Sequence, residues 1–494
     1  MYRFRQVLIL GSANAFMAKI LAAYPFSEYY CSKDGLSPEA KAVVDDFVST
    51  VKRRTSPKEF CEKHGLAERV EEVEKFVREA DASELGKPLP ALSWQKLLAD
   101  LKKLFTGLPE SEGISHAVAA KMHGFHVIQP LFEDFDLEEI MVNGVKKPVM
   151  VVHRKHGVCR SDLQFASDKE YREFLMQVCG ANASHYYDGR LPDGSRINVM
   201  FPPTVSEPAA TIRRFSRNQL TLIDLISNRT LSPELGGFLW TCVDGLGSLP
   251  LNILVVGGPA SGKTSTLKSI AALIPPHERV ITVEDTREIS LPACEDWIAL
   301  EATDKISLDE LLRNTLRMRP DRLLVGEVRG SEAITLFTAM NVGQRGVIGT
   351  MHAYTAREAV KRLENAPMNV PRSLIPLVNV IIVQQKIPSS TGAAIRRVTQ
   401  VSEVSAMDEQ ISLNEIFKWD DELQEINRTD VPITLYERLA KASRTTISAV
   451  SAEVESRSRV LEYLREKGVS TQKDFNSFLS RYYAEEATKR QASS

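Results

Sequence analysis

The octapeptide Gly257-Gly258-Pro259-Ala260-Ser261-Gly262-Lys263-Thr264, followed by Ser265, has the spacing G-x-x-x-x-G-K-[ST]. Such a stretch can hold a polyphosphate. Its glycines let the backbone curl until successive N–H groups point inward, and a helix opening at the lysine adds its positive N-terminal end. Lys263 would then reach the β- and γ-phosphates, and the Thr264 hydroxyl would ligate Mg2+. The alternative is a glycine-rich turn without a ligand. An apolar run at 252–256 precedes the loop and a helical stretch at 264–273 follows it, which is the setting a phosphate loop requires.

A phosphate loop alone binds nucleotide, whereas hydrolysis also needs carboxylates that order Mg2+ and an attacking water. Two apolar runs end in acids. Ile281-Thr282-Val283-Glu284-Asp285-Thr286 is followed by Arg287 and Glu288, and Arg322-Leu323-Leu324-Val325-Gly326-Glu327-Val328-Arg329 carries a single glutamate near its end. Either acid alone could simply cap the next helix. Two strands that both end in acids downstream of a phosphate loop favour catalysis, with Glu284 and Glu327 as metal ligands or general base. Gly349-Thr350-Met351-His352-Ala353 ends a further apolar run, where a neutral imidazole at His352 could sense the γ-phosphate or bond a carboxylate. A lone histidine is more often structural.

Strands must bring these groups together. Between residues 249 and 386, apolar runs at 252–256, 280–284, 322–328 and 346–352 alternate with helical stretches at 264–273, 308–318, 332–341 and 356–363, which predicts βαβ units and a largely parallel sheet. Chemistry then belongs at the carboxyl ends of the strands. Residues 37–105 are rich in Glu, Lys, Ala and Leu with helical periodicity, as at Val43, Val44, Phe47 and Val51. From 113 to 217 short strands alternate with Gly, Pro and Asp turns, and 394–406 and 411–419 read as antiparallel strands. The expected division is a helical region 1–112, an α+β domain 113–219, a linker 220–231, a P-loop domain 232–430 and a helical region 431–494.

The chain has 494 residues, 43% hydrophobic and 26% charged, which excludes a small disulfide scaffold and wholesale disorder. Its 62 Lys plus Arg against 64 Asp plus Glu leave a net charge of −2, which argues against broad nucleic-acid binding. The six cysteines form no C-x-x-C pair and read as reduced thiols. No apolar run reaches the roughly 20 residues a membrane-spanning helix needs. Arg3 and Arg5 before Val7 to Leu10 loosely suggest a secretory signal, but Gly11 and Asn14 interrupt it, and a strand or helix of the folded protein is expected there.

Four boxes in order, at 257–264, 282–288, 325–329 and 346–352, resemble the Walker A, Asp, V-G-E-x-R Walker B and His boxes of the type II/IV secretion ATPase superfamily, which serves type II secretion, type IV pili and the archaellum. The segments 188–196 and 211–215 resemble its arginine-bearing N-terminal domain, and 364–371 with Ile375-Pro376 resembles the archaeal branch. The resemblance implies an α/β fold: a RecA-like P-loop NTPase C-terminal domain, with an α+β N-terminal domain and a helical N-terminal extension. It also implies a cytoplasmic homo-hexamer that binds ATP and Mg2+ and is recruited by a polytopic membrane platform protein. Site residues carried over are Gly257, Gly258, Pro259, Ala260, Ser261, Gly262, Lys263, Thr264 and Ser265 for nucleotide, and Thr264, Glu327 and Glu284 for metal. Glu327, Glu284 and His352 are carried over for catalysis. Arg190, Arg196, Arg213 and Arg214 are charge stabilisers from the N-terminal domain, with Arg317 and Arg319 from a neighbouring surface. Which glutamate is the general base stays open. The four-cysteine zinc module of bacterial members is absent, Gln344 stands where His is common, and Ala353-Tyr354-Thr355 replaces Ala-Asn-Ser. Rival readings are a nucleic-acid translocase or DNA-transfer ATPase, and a scaffold that binds ATP without useful hydrolysis.

Overall fold

The computed structural model describes residues 7–10, 18–21, 27–31, 37–53, 56–80, 91–154, 156–180, 185–215, 219–303, 305–388, 394–407 and 410–493. Contacts divide the chain into two units, Met1–Arg217 and Asn218–Ser494.

In the first unit, helices Pro38–Arg53, Pro57–Lys63, Val70–Glu79, Ala91–Leu104 and Ser111–His123 close on their own core. Phe47 is its centre, with ring centroids 5.3 Å from Phe60 and 5.0 Å from Phe105 in edge-on contact. A nine-stranded sheet accompanies them, built from β1 (Val7–Leu10), β2 (Ala18–Leu21), β3 (Ser27–Cys31), β4 (Leu137–Val142), β5 (Met150–His153), β6 (Gly157–Ser161), β7 (Tyr186–Arg190), β8 (Arg196–Met200) and β9 (Ala209–Arg213). Its order is β1-β2-β3-β6-β5-β4-β9-β8-β7, antiparallel except where β3 meets β6. Residues 1–112 are therefore not helical throughout, since β1 to β3 extend this sheet. The physical reason is local: Val7 to Leu10 and the pair Tyr29-Tyr30 are strand formers, and the Glu, Lys and Ala pattern of a helix begins only near Ser37.

The second unit is a sheet of β10 (Ile253–Gly257), β11 (Val280–Glu284), β12 (Trp297–Glu301), β13 (Arg322–Val328), β14 (Ile348–Met351), β15 (Val380–Pro388), β16 (Ala394–Met407), β17 (Gln410–Asp420) and β18 (Glu425–Arg428). The order is β12-β11-β13-β14-β10-β15-β16-β17-β18. Its first six strands are parallel and the last three add as antiparallel neighbours. Every residue of β10, β11 and β14 is buried, as expected for parallel strands covered by helices on both faces. β12 is an edge strand, half-buried throughout, and its apolar run, Trp297 to Leu300, is only four residues long, so it escapes the alternation of longer runs and helices.

Residues 220–231, read as a linker, instead join this unit's core. Thr221 and Asp224 form a capping box that starts helix Leu222–Ser227, and Leu222, Ile223, Leu225 and Ile226 bury their side chains. The C-terminal helices Leu435–Ser443, Ile447–Glu466 and Gln472–Ser493 belong to the same core. Helix Ile447–Glu466 packs closely on helix Pro233–Asp244, where a Cβ at Gly237 would stand 2.5 Å from the Val454 carbonyl oxygen. An ion pair between Arg457 and Asp244, at 2.9 and 2.8 Å with both side chains under 5% exposed, locks the contact. Trp240 Nε1 donates to the Tyr483 hydroxyl at 2.9 Å, which in turn donates to the Leu273 carbonyl at 2.6 Å, just past the helix that follows the phosphate loop.

Removing one member of a buried pair strands the other charge, which costs about 3–5 kcal/mol. Arg457 keeps Glu453 at 2.7 Å as a second partner, so Asp244→Ala should lower unfolding stability by about 3 kcal/mol, the low end of that range, in urea titrations followed by tryptophan fluorescence. Glu455→Ala, which breaks the exposed pair with Arg459 at 3.7 Å, should change it by less than about 1 kcal/mol. Equal effects would contradict the role given to Asp244.

Candidate functional site

β10 delivers the chain to the phosphate loop, and the next strand dictates its glycines. A Cβ at Gly257 would lie 2.1 Å from the Gln384 carbonyl oxygen of β15, and Gly262 takes φ +96°, which glycine adopts without strain. Helix Lys263–Ala271 opens directly after Gly262. Its N-terminal N–H groups therefore face the loop. Gln384 stiffens the base of this turn, its Oε1 accepting from Thr266 Oγ1 at 2.7 Å, and Arg396 Nε donates to the Ala260 carbonyl at 3.0 Å.

A chain of charged groups runs from the loop across the carboxyl ends of the strands. Lys263 Nζ donates to the Gly258 carbonyl at 3.0 Å and lies 3.4 Å from His352 Nδ1. His352 follows β14, and its Nε2 lies 2.7 Å from Glu327 Oε1. Arg329 donates to Glu327 Oε2 at 2.6 Å, and its other guanidinium nitrogen lies 3.7 Å from Asp285, which follows β11. The order of contacts, β10, β14, β13, β11, is the order of the strands in the sheet. The β13–β14 register shifts between Val325 and Val328, so the irregularity falls at Gly326 and Glu327. A shift of this kind re-aims a side chain, here the acid of the box.

Glu284, the last residue of β11, is 2% exposed and accepts from the backbone N–H groups of Glu288 and Ile289 at 2.9 and 3.0 Å. Its Cγ stands 2.9 Å from where a Cβ on Gly326 would be, which is why the neighbouring box needs glycine before its glutamate. Burial pushes the Glu284 carboxyl up to about 7 against the pull of those two N–H groups. Burial also lowers Lys263, opposed by the charge of Glu327, and lowers His352 together with the nearby Lys263 ammonium. Glu327 opposes that shift on His352, and the net direction favours the neutral imidazole.

The arginines fall into separate groups. In the first unit Arg190 pairs across the sheet with Arg196, and Arg196 with Arg213, so three exposed guanidinium side chains share one row of β7, β8 and β9. Like charges directly opposite one another destabilise a sheet. Asp188, 3.6 Å from the Arg196 guanidinium, offsets part of that repulsion. Arg214 points elsewhere: it donates to the Leu131 and Phe132 carbonyls at 3.2 and 2.8 Å and covers the Phe132 ring, so the expected charge stabiliser serves to cap a short helix. Arg317 and Arg319, exposed between helix Leu308–Thr315 and β13, enter the sheet at its amino edge, away from the cluster. The sequence reading passed over Gln384 and Arg396. For Gln384 a signal existed, a polar residue ending the apolar run Val380 to Val383; for Arg396 there was none.

A carboxyl whose folded value lies above its unfolded one stabilises the protein below about pH 4.5 and loses that contribution as pH rises towards 7. The stability of Glu284→Gln relative to wild type should therefore increase by about 3 kcal/mol between pH 4.5 and 7, at 1.36 kcal/mol per pKa unit. Denaturant midpoints across that range read it. Parallel curves for the two proteins would show that Glu284 is not perturbed.

A family model described as "Type II/IV secretion system protein" matches residues 137–466. An uncharacterized protein of Methanocaldococcus jannaschii is 31% identical over 359 residues, 69% of this chain and 64% of that protein. The conjugal transfer protein TrbB of Rhizobium radiobacter is 34% identical over 222 residues, 43% of this chain and 67% of TrbB. A second M. jannaschii protein, 40% identical over 235 residues, is matched over 32% of its own length, so this chain spans less than two thirds of both archaeal relatives. Among solved structures, the Legionella pneumophila ATPase DotB aligns with 70% of this chain and 92% of its own at 15% identity and a TM-score of 0.43. The chain belongs to the type II/IV secretion system protein family.

Proposed function

We propose that this protein is a Mg2+-dependent ATPase, turning ATP and water into ADP and phosphate. In this reading it works as a cytoplasmic homo-hexamer at the inner face of the cell membrane. It drives assembly of a type IV pilus-like or archaellum filament, or type II-like secretion, through a polytopic membrane platform protein. The observation that carries the reading is the convergence of Lys263, His352, Glu327 and Arg329 at the carboxyl ends of parallel strands, beside the loop and the buried Glu284.

The N–H groups from Ala260 to Ser265 and the Lys263 ammonium bind the phosphates, and the ammonium offsets their charge. Thr264 and Glu327 would hold Mg2+, and the donor set fits a hard cation: a hydroxyl and a carboxylate, with Glu327 Oε1 shielded from water beside His352 Nε2 at 2.7 Å. When bound, the ion draws charge from the γ-phosphate. Glu284, poised near pH 7, is suited to take the proton of the attacking water, with Glu327 as the metal acid. Neutral His352 would hold Glu327 and the γ-phosphate in register. The row Arg190, Arg196 and Arg213 is suited to charge that develops during transfer, and Arg317 would serve a neighbouring subunit.

Among the described residues no helix is long and apolar enough to cross a membrane. The likeness to a conjugal transfer protein favours a second reading, a DNA-transfer ATPase.

Phosphate release separates these readings. Lys263→Ala should lose turnover by about 10²-fold or more, and Glu327→Gln should bind ATP yet turn over as poorly. Unchanged hydrolysis in Lys263→Ala would overturn the proposal. Stimulation by single-stranded DNA, without stimulation by the membrane partner, would favour the second reading. Size measured by light scattering with and without ATP should reach six subunits.

A further inference from the structure

Ala260 has φ +54°, a left-handed conformation that a residue with a Cβ rarely adopts and that persists only where its surroundings hold it. One such hold comes from β16, more than 130 residues downstream, where Arg396 Nε donates to the Ala260 carbonyl at 3.0 Å. The same side chain lies against the next turn of the loop, its Cδ 3.2 Å from where a Cβ on Gly262 would be.

The consequence follows from peptide geometry. The bond from Ala260 to Ser261 is trans, so the carbonyl of Ala260 and the N–H of Ser261 point in opposite directions. A donor that holds the carbonyl outward also holds the N–H inward. The loop shows that arrangement: Ser261 N–H is directed at the Gly258 carbonyl at 3.4 Å, the same oxygen to which Lys263 Nζ donates. The Ser261 amide and the Lys263 ammonium thus face one point inside the turn.

We infer that Arg396 is a positioning residue for the phosphate loop, pinning the Ala260 carbonyl outward so that the Ser261 N–H is aimed at bound phosphate before the ligand arrives. This rests on the nucleotide-binding reading above. It assigns Arg396 a role through the peptide rather than through contact with phosphate, and that distinction can be tested. The donor is Nε, three bonds beyond Cβ, and glutamine places its amide nitrogen at the same position on the chain. Arg396→Gln therefore removes the positive charge and keeps a donor within reach of Ala260, whereas Arg396→Ala removes both.

The experiment measures ADP affinity of the purified full chain by calorimetry, with KM and kcat for ATP alongside and thermal midpoints to confirm folding. Arg396→Ala should weaken ADP binding and raise KM by about tenfold, the worth of one charge-assisted hydrogen bond, with kcat within about threefold of wild type. Arg396→Gln should stay within about threefold of wild type in all three quantities. Ala260→Gly, which takes positive φ without cost, should recover part of the affinity that Arg396→Ala loses. Equal losses in the Gln and Ala variants would mean that the charge matters and not the carbonyl hold, and would overturn the inference. So would unchanged affinity in Arg396→Ala, and so would strictly additive effects of Arg396→Ala and Ala260→Gly. Wild type is measured first: a wild type that binds no ADP defeats the nucleotide reading itself, and any other failure falls on Arg396 alone.

Discussion

Everything at the carboxyl edge of the second sheet depends on where one half-desolvated ammonium is placed. Lys263 is buried at the head of its helix, and burial favours losing its proton. It stays useful only because acceptors surround it. The Gly258 carbonyl takes one hydrogen bond, His352 stands at 3.4 Å, and the charge of Glu327 lies just beyond. Removing phosphate from water requires the same kind of compensation from the other side, donors and cations in place of solvent. The site meets that need from four strands, so no single segment carries the chemistry.

The parallel sheet makes that possible, and the interior behind it keeps it aligned. Gly257 and Gly262 occupy spots where a Cβ would strike Gln384, and Gly326 one where it would strike Glu284, so the phosphate loop is packed against β15, and the turn before Glu327 against Glu284, with no room for a side chain. Further back, the Tyr483–Leu273 contact ties the last helix to the end of the helix that follows the loop, while Trp240–Tyr483 and the Arg457–Asp244 pair tie the C-terminal helices to helix Pro233–Asp244. Such buried polar networks are costly when broken and rigid when complete.

Much of this was legible in the sequence because local patterns carry it. The loop spacing, the two acid-ended strands and the run to His352 are contiguous in the chain, and the alternation of apolar runs with helical stretches placed four of the parallel strands. What was not legible depends on register or on distant packing. The shared row of Arg190, Arg196 and Arg213 exists only because β7, β8 and β9 pair in one particular alignment. Arg214, next to Arg213 in sequence, points to the other face because successive side chains alternate across a strand, and so caps Leu131 and Phe132 instead. β12 has only the short run Trp297 to Leu300 at the sheet's edge, and residues 220–231 look like a connector until the helix capped at Thr221 buries their leucines and isoleucines. Arg396 and Ala260 are 136 positions apart, beyond any local pattern.

The most direct measurement is a crystal structure of the full chain with Mg2+ and a slowly hydrolysed ATP analogue. The account predicts the β-phosphate enclosed by the amides of residues 260–265, the γ-phosphate touching Lys263, the ion between Thr264 and Glu327, and Glu284 facing the water opposite the bridging oxygen. Nucleotide bound elsewhere in the chain, or at this loop with Lys263 still turned to Gly258 and His352 and away from phosphate, would contradict it.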